Sequence, residues 1–421
     1  MAKKKTNPEL RFAGFKEDWE EQGFEEVFAN ISNNSLSREK LNYSSGLAKN
    51  VHYGDILVKF NEILDVKRGM LPYVTDNNIV EKLKNSFLKD GDIIIADAAE
   101  DEIVGKCVEL YNVHEEKILS GLHTIAVRPK DKFASKFLGY YMNTCSYHDQ
   151  LLKLMQGTKV LAISKSAIKD TIIRYPKSEK EQLKISDFLT GIDKLIANHQ
   201  EKHLKIKSLK KAMLAKMLPK QRQGVPEIRF KGYNGDWEEK KLSEISIYSN
   251  GKGYESFQSS SGKYELINLN SISIDGGLKP SGKFISNADI TLKINDLVMI
   301  LSDVGHGNLL GRVALIPEDD KYVLNQRVAL LRHSKDISPH FLYYNINAHQ
   351  IYFKTQGAGM SQLNLSKKSV EDFASLIPKE IDEQIKIADY FKNIDNLISN
   401  HGTQIIKLRN IKKAFLAKMF I

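Results

Sequence analysis

Cysteine is nearly absent from this 421-residue chain, and both cysteines, Cys107 and Cys145, lie in its first half. That scarcity argues against a disulfide framework and against a cysteine-based metal site. All ten prolines are isolated, which excludes the Asn- or Asp-Pro-Pro-aromatic motif of amino-methyltransferases. Gly-x-Ser-x-Gly, His-Glu-x-x-His and helicase signatures are missing as well. A chain this long without a catalytic constellation is predicted to be a binding or targeting subunit.

No stretch approaches the ~20 apolar residues that a membrane-spanning helix needs, and the basic N-terminus lacks the apolar run of a signal peptide. We therefore expect a cytoplasmic protein without a membrane partner. The formal net charge is +10 and the pI is near 9.1. An excess of that size is compatible with a polyanionic partner, most commonly nucleic acid. The alternative is a moderately basic cytosolic protein without such a partner.

The chain contains two copies of one module. Pro8–Phe15, followed by Asp18-Trp19, recurs as Pro226–Tyr233, followed by Asp236-Trp237. Residues 181–218 recur without a gap as residues 383–420, with about half of the positions identical. A repeat of roughly 200 residues is far longer than a solenoid unit. Two such copies predict a pseudo-dimer within one chain, which suits a bipartite target.

The middle of each copy has the pattern of a sheet. Short apolar runs at 92–96 and 123–128 recur at 296–300 and 327–332, which predicts matching strands. Aromatic-rich stretches at 137–154 and 341–353 predict helices. The fold class is therefore α+β, with two tandem globular domains that are each followed by a long helix. The predicted boundaries are 1–178 for the first domain, 179–222 for the central helix, 223–380 for the second domain and 381–421 for the C-terminal helix.

The closing stretches carry apolar residues at alternating steps of three and four, which is the 3.5-residue period of a coiled-coil seam. Because the two stretches copy each other, we expect them to pair antiparallel, with His199 facing His401. A metal bridge there is one interpretation. We predict instead a buried polar pair that fixes register, and no metal site. The predicted helix-pairing residues are Ile192, Leu195, His199, Ile206, Ile394, Leu397, His401 and Leu408.

Two further segments have open interpretations. From His199 to Arg222 there are eight Lys or Arg residues against one Glu. This run is either a solvated face near a helix C-terminus or a docking or phosphate-facing surface. Ser302–Gly307 is rich in glycine but lacks the spacing that cradles phosphates. It is predicted to be a flexible loop and not a nucleotide site.

The order domain, long helix, domain, long helix resembles the specificity subunit of type I restriction–modification systems. Motifs along the whole chain carry the resemblance: the copied openings, His52-Tyr53-Gly54-Asp55-Ile56, Gly121-Leu122-His123-Thr124 with Arg128-Pro129, Leu324-Asn325-Gln326-Arg327-Val328, and Ile-Asp at 192–193 and 394–395. The resemblance implies two target-recognition domains that read a split sequence in double-stranded DNA. It also implies that the paired helices serve as a ruler and dock two modification (methyltransferase) subunits, which restriction (translocase/endonuclease) subunits join. S-adenosylmethionine, ATP and Mg²⁺ would belong to those partners, and this chain would hold no cofactor.

Base edges in the major groove are read by Asn, Gln, Arg, Lys and His side chains, while Lys and Arg also hold phosphates. An alternative for each candidate is a surface or strand-capping role, and His123 and Arg327 each begin an apolar strand. A two-domain coiled-coil adaptor that binds a protein ligand without DNA remains the competing hypothesis, and an enzyme with an unrecognised site is a third. The predicted DNA-binding residues, all in matching loops of the two copies, are His52, Lys106, His123, Lys159, His306, Asn308, Arg312, Asn325, Gln326, Arg327, Gln362 and Asn364.

Overall fold

The computed structural model of the protein describes residues 6–219 and 224–421. The chain divides into two compact units. The first unit takes residues up to His199 together with Thr403–Ile421, and the second takes Gln200–Gly402. The predicted boundary between residues 222 and 223 lies outside the described residues, as do Lys220 and Arg222 of the basic run.

The first unit is a mixed α+β structure. Its helices are α1 (Phe24–Val27), α2 (Tyr53–Val58), α3 (Asn77–Lys82), α4 (Phe137–Met142), α5 (Cys145–Leu152) and the first part of α6 (Glu179–Met217). Its strands are β1 (Glu20–Gly23), β2 (Phe28–Ile31), β3 (Leu41–Asn42), β4 (Lys49–Val51), β5 (Ile63–Asp65), β6 (Tyr73–Val74), β7 (Ile93–Ala96), β8 (Ala98–Ala99), β9 (Cys107–Tyr111), β10 (Ile118–Ser120), β11 (Thr124–Pro129), β12 (Leu161–Ala162) and β13 (Ile172–Tyr175).

A five-stranded sheet of order β2-β11-β7-β9-β5 forms the centre of the first unit. The central strand β7 is a continuous apolar run, Ile-Ile-Ile-Ala, because both faces of the sheet are covered. One face packs on a core with Trp19 and Phe137, and the other packs on a core with Val51 and Leu64. A second sheet, β10-β4-β6-β3, and the small pairs β1-β13 and β12-β8 complete the unit.

The second unit repeats this plan. Its helices are α7 (Leu242–Ile245), α8 (Pro339–Ala348), α9 (Gln350–Gln356), α10 (Lys367–Glu371) and the first part of α11 (Ile381–Lys418). Its strands are β14 (Glu238–Lys241), β15 (Ser246–Asn250), β16 (Tyr264–Ile267), β17 (Phe284–Ile285), β18 (Leu297–Ile300), β19 (Ser302–Asp303), β20 (Val313–Leu315), β21 (Tyr322–Leu324), β22 (Val328–His333), β23 (Leu363–Asn364) and β24 (Ala374–Ile377).

The two scaffolds match strand by strand. The sheet β15-β22-β18-β20 has the order of β2-β11-β7-β9, and the pairs β14-β24 and β19-β23 correspond to β1-β13 and β8-β12. Ile93 pairs with Val127 as Leu297 pairs with Leu331. An edge strand equivalent to β5 is found only in the first unit's sheet among the described residues. The predicted strands and the two-copy α+β fold are confirmed.

Each predicted aromatic-rich helix is interrupted, so the expectation of one helix at 137–154 and one at 341–353 is wrong. In the first unit α4 ends before Asn143, whose side chain bonds both the backbone N–H (3.1 Å) and the carbonyl (2.9 Å) of Cys107. Asn347 makes the same pair of bonds to Val313, at 3.2 and 3.0 Å, and α8 ends just after it. An asparagine side chain therefore ties each helix end to the neighbouring strand.

The two long helices contribute to both units. In the first unit, Phe188 of α6 packs edge-to-face on Phe415 of α11 at 4.7 Å between ring centroids, and Asp193 lies 2.7 Å from Lys412. In the second, His203 bonds the carbonyl of Ile398 at 3.0 Å. Early residues of one helix thus meet late residues of the other in each unit, and the predicted antiparallel pairing is confirmed within each.

The buried seam differs in part from the 3.5-residue pattern. Ile192 and Leu408 pack in the first unit, and Ile206 and Ile394 pack in the second, as expected. Leu195 and Leu397 do not join either cluster and are about half exposed, at 50% and 49%. Ile196 takes the buried place in the first unit, because a helix with 3.6 residues per turn drifts against a 3.5-residue repeat. The pairing of His199 with His401 joins residues of different units and stays a prediction.

A matched Asp-Tyr-Lys cluster links each globular domain to the long helices. In the first unit Asp193 accepts a hydrogen bond from the Tyr140 hydroxyl at 2.7 Å and pairs with Lys412 at 2.7 Å. In the second, Asp395 does the same with Tyr344 at 2.8 Å and Lys210 at 2.6 Å. The aspartate of each Ile-Asp pair therefore bonds both its domain and a lysine of the long helices.

Replacing Arg11 by methionine should destabilise the first unit by about 3–5 kcal/mol. Arg11 donates two hydrogen bonds, at 2.7 and 2.8 Å, to Glu181, whose side chain is only 1% exposed. Removing the cation leaves that carboxylate buried and unpaired, which is strongly unfavourable. Urea unfolding measures the effect. Lys132→Met is the control, because its pair with Glu179 is exposed and should contribute at most ~1 kcal/mol; equal midpoints for the two variants would contradict the assignment.

Candidate nucleic-acid interface

Two of the predicted residues occupy the same unusual backbone position in the two units. His123 and Arg327 both have positive φ, at 53° and 65°. Such a conformation costs a non-glycine residue of order 1 kcal/mol or more and is often found at functional sites. Strand pairing holds both residues in place, since their carbonyls accept from Asp97 N–H at 3.1 Å and Leu301 N–H at 2.9 Å. Their side chains are exposed.

In the first unit His123 belongs to an aromatic and charged group. Its Nδ1 lies 3.3 Å from the Asp97 carboxylate, and its ring meets Tyr53 edge-on at 5.3 Å. Tyr53 in turn contacts His52 at 4.6 Å. Burial raises the pKa of Asp97, and the His123 contact opposes that shift. The structure therefore brings the predicted residues His52 and His123 together through Tyr53.

His52 has a structural part in this group. Its Nδ1 accepts a hydrogen bond from the Gly54 N–H at 3.2 Å and so caps the N-terminus of α2. The side chain is buried, and burial lowers the pKa of its imidazole, helped by the nearby Arg38. His52 therefore contacts Tyr53 from within the fold, and Tyr53 in turn contacts His123.

A cleft of about 560 Å³ opens beside His123. Asn33, Asp97 and Leu122 line it. The Nζ of Lys165 donates to the Asn33 Oδ1 at 2.8 Å, which brings an exposed lysine to its edge. The cleft thus offers amide, carboxylate and cationic groups within one concave surface.

Lys106 and Arg312 occupy matching positions but are turned inward. Lys106 Nζ donates to the carbonyl of Leu57 at 3.0 Å, and Arg312 donates to that of Asn347 at 3.1 Å. Burial lowers the pKa of both side chains. These contacts satisfy backbone carbonyls, so neither residue is placed to read DNA in this conformation.

In the second unit Asn325 and Gln326 converge on one carboxylate. Glu255 Oε1 accepts from Asn325 Nδ2 at 3.3 Å and from Gln326 Nε2 at 2.6 Å. Asn325 is buried, and its Oδ1 also accepts from the Tyr254 N–H at 3.1 Å. Asn325 therefore anchors the loop, whereas Gln326 and Arg327 remain exposed beside it.

The glycine-rich segment after β19 forms a separate exposed loop. His306 and Asn308 are both exposed there, and Asn308 accepts from Lys354 Nζ at 3.2 Å. Asp303 fixes the loop by accepting from the N–H groups of Gly305 (3.0 Å) and Leu309 (3.1 Å). The corresponding first-unit loop carries three exposed acidic residues at 100–102 instead. Matching scaffolds thus present loops with different side chains.

The last three predicted residues lie on or beside a matched pair of hairpin tips, at residues 157–160 and 359–362. Lys159 is exposed on the first tip, and Gln362 is half-buried on the second. Asn364 follows the second tip in β23 and accepts from the Ser302 hydroxyl at 2.6 Å. The tip strands pair with β8 and β19, next to the segments that hold His123 and Arg327.

Sequence reasoning missed several residues of these surfaces. Asp97, Tyr53 and Glu255 were not selected, because their roles depend on tertiary contacts with candidate residues. Lys165 was also missed, although Ser164-Lys165 recurs as Ser366-Lys367. That repeated pair just after each tip was the available signal.

Among the residues that the structure describes, no three His, Cys, Asp or Glu side chains are grouped so as to hold a metal ion. No described helix has both the length and the apolar character needed to cross a membrane.

A family model described as the type I restriction modification DNA specificity domain matches residues 16–208 and 234–410. In structure the chain is similar to the type I restriction-modification system S subunit from M. genitalium, with TM-score 0.62 and 16% identity over 99% of each chain. It is also similar to a chain from a structure concerned with complex assembly and conformational transition of the type I R-M system, with TM-score 0.57 and 14% identity over 96% of this chain and 97% of that chain. Both likenesses concern the fold. No curated protein sequence matches the chain significantly.

Proposed function

The chain belongs to the type I restriction modification DNA specificity family, and we propose that it reads a split DNA sequence, one half with each unit, while partner subunits perform the chemistry. The observation that carries this proposal is the contrast between scaffold and surface. Two sheets match strand by strand, yet the loops at matching places carry different side chains. A shared scaffold with different loops is what independent readout of two half-sites requires.

The exposed groups suit major-groove recognition. The first unit presents His123, Lys159 and Lys165, and the second presents Gln326 and Arg327. Lysine and arginine bind phosphates or guanine edges, and glutamine pairs with adenine. Because His123 stands where the second unit has Arg327, and Lys159 where it has Ser361, the two half-sites should differ in sequence.

The long helices offer matched apolar positions for partner subunits. Leu195 and Leu397 are 50% and 49% exposed, and Leu204 and Ile406 are 64% and 62% exposed. Apolar side chains that stay exposed on a helix that already buries a seam of other residues suit contact with a protein partner. Since each position occurs once per helix, two copies of the same modification subunit would be accommodated.

In this proposal the chain is not itself an enzyme. Modification subunits would supply S-adenosylmethionine and adenine methylation, and restriction subunits would use ATP and Mg²⁺ for translocation and cleavage. The chain would direct them to the target, in the cytoplasm where the DNA and these three cofactors are found.

Binding of the purified chain to random duplex DNA should weaken steeply with salt. Contacts from Lys and Arg to phosphates release counterions, and six or more such contacts lower affinity by about 10³-fold or more between 50 and 200 mM salt. Equilibrium titration with a labelled duplex measures this slope. Absence of duplex binding at 50 mM salt would sink the proposal and favour a coiled-coil adaptor with a protein ligand.

A further inference from the structure

The hairpin tips 157–160 and 359–362 are closed in the same way in both units. Gln156 and Ala162 exchange two backbone hydrogen bonds, at 3.0 and 2.8 Å. Ala358 and Asn364 exchange the equivalent pair, at 3.0 and 2.9 Å. The tips are therefore stiff projections from the scaffold and not free loops.

A glycine at the first position makes each tip possible. Gly157 has φ of 120° and Gly359 has φ of 133°. A Cβ added to Gly157 would lie 1.9 Å from the Val160 carbonyl oxygen, and one added to Gly359 would lie 2.0 Å from that of Gln362. Only glycine fits there, so the two tips share one backbone shape whatever side chains they carry.

The three remaining side chains of each tip differ at every position. Thr158, Lys159 and Val160 stand where the second tip has Met360, Ser361 and Gln362. Val160 is 53% exposed and Met360 is fully exposed. An apolar side chain held outward on a stiff projection is expected to be covered when a partner binds.

Side-chain support also differs between the tips. Asn364 Oδ1 accepts from Ser302 Oγ at 2.6 Å and from Gln362 Nε2 at 3.3 Å, while Asn364 Nδ2 donates to the Gln362 carbonyl at 3.0 Å. Asn364 thereby orients the Gln362 carboxamide. The first unit has Ala162 and Ala98 at these places. The second tip, which carries the Gln362 carboxamide, therefore has side chains that hydrogen-bond beside it, and the first tip has alanines at the same places.

We propose that these two tips are the exchangeable base-reading elements of the two units. Lys159 on the first tip contacts a guanine edge, and Gln362 on the second contacts an adenine edge, with Asn364 as its positioning residue. Met360 covers an apolar group beside that base pair, such as the thymine methyl. This assignment rests on the proposed function and specifies which part of each unit carries it.

Reciprocal exchange of the tips tests the assignment. One full-length variant carries Thr158→Met, Lys159→Ser and Val160→Gln, and the other carries Met360→Thr, Ser361→Lys and Gln362→Val. Both glycines stay, so the backbone shape is kept. Duplexes selected from a random-sequence library by each variant are compared with those selected by the wild-type chain. Each exchange is expected to alter one to three adjacent base pairs of one half-site, with about 10- to 100-fold changes in discrimination there.

Two single substitutions keep the test valid if a triple exchange fails to fold. Gln362→Val and Asn364→Ala each introduce the chemistry that the other copy carries at the same place, and both should relax the same base pair. Arg68→Val is the control, because Arg68 is an exposed cation on the turn after β5 of the first unit, and its ion pair with Asp65 is 3.7 Å long. It should leave the selected sequence unchanged.

The outcomes separate the two proposals. Half-sites that stay unchanged in all tip variants, in a chain that still selects a split sequence, would overturn the tip assignment alone. A wild-type chain that selects no sequence would overturn the proposed function itself.

Discussion

Replacing residues 14–176 by the equivalent region of a related chain is expected to change one half of the recognised sequence completely and to leave the other half intact. The replaced region lies wholly within the first unit. That unit has its own cores, built around Trp19 and Phe137 on one face of the sheet and Val51 and Leu64 on the other. Domains that fold around separate cores should read their half-sites independently of each other.

The donor region should keep a tyrosine at the place of Tyr140, because its bond to Asp193 holds the domain on its helices. The matched control replaces residues 232–378, which should change only the other half-site. Sequence selection from a random duplex library, or methylation mapping with partner subunits, reads out both variants. A single exchange that altered both halves would contradict independent readout.

Lengthening both long helices by four residues is expected to widen the gap between half-sites by about one to two base pairs. Four residues add ~6 Å at ~1.5 Å per residue, and duplex DNA advances ~34 Å in about ten base pairs. The insertions belong between His199 and Gln200 and between Gly402 and Thr403. There, each helix passes from one unit to the other, so every contact within a unit is retained.

The sequences of both half-sites should stay the same in this variant, and methylation mapping with partner subunits reports the gap. The control inserts the same four residues after Gly282, an exposed turn with open space around it, and should leave the gap unchanged. If the lengthened helices gave the original gap at full activity, the helices would be a docking surface only and not a ruler.

The repeated sequence allowed much of the scaffold to be predicted. The matching apolar runs at 92–96 and 296–300 predicted the strands β7 and β18. The 3.5-residue period of the closing stretches predicted the helix pairing. Details that depend on tertiary contacts could not be read from the pattern. The break at Asn143 is one, because the Asn143 side chain at the helix end is held by Cys107, which is far away in sequence. The burial of Ile196 in place of the predicted Leu195 is another. It arises because a helix with 3.6 residues per turn gradually departs from a 3.5-residue repeat.

The sequence predicted where the candidate residues lie better than it predicted what their side chains contact. His123 and Arg327 were selected as loop residues that begin strands, and the structure adds their matching left-handed backbone. Lys106 and Arg312 were selected for their charge, but a lysine or arginine side chain is long enough to turn inward toward a carbonyl as readily as outward toward a phosphate. Only the fold distinguishes the two outcomes. The stiffness of the hairpin tips likewise depends on backbone bonds between Gln156 and Ala162 that no local motif specifies.

We propose that this chain supplies the sequence specificity of a methylating complex. Mapping methylated adenines across a genome, in cells that make the modification subunits with and without this chain, tests it most directly. The expected result is methylation at one split sequence that appears only when the chain is present. An identical methylation pattern in both cells, or none in either, would contradict the claim.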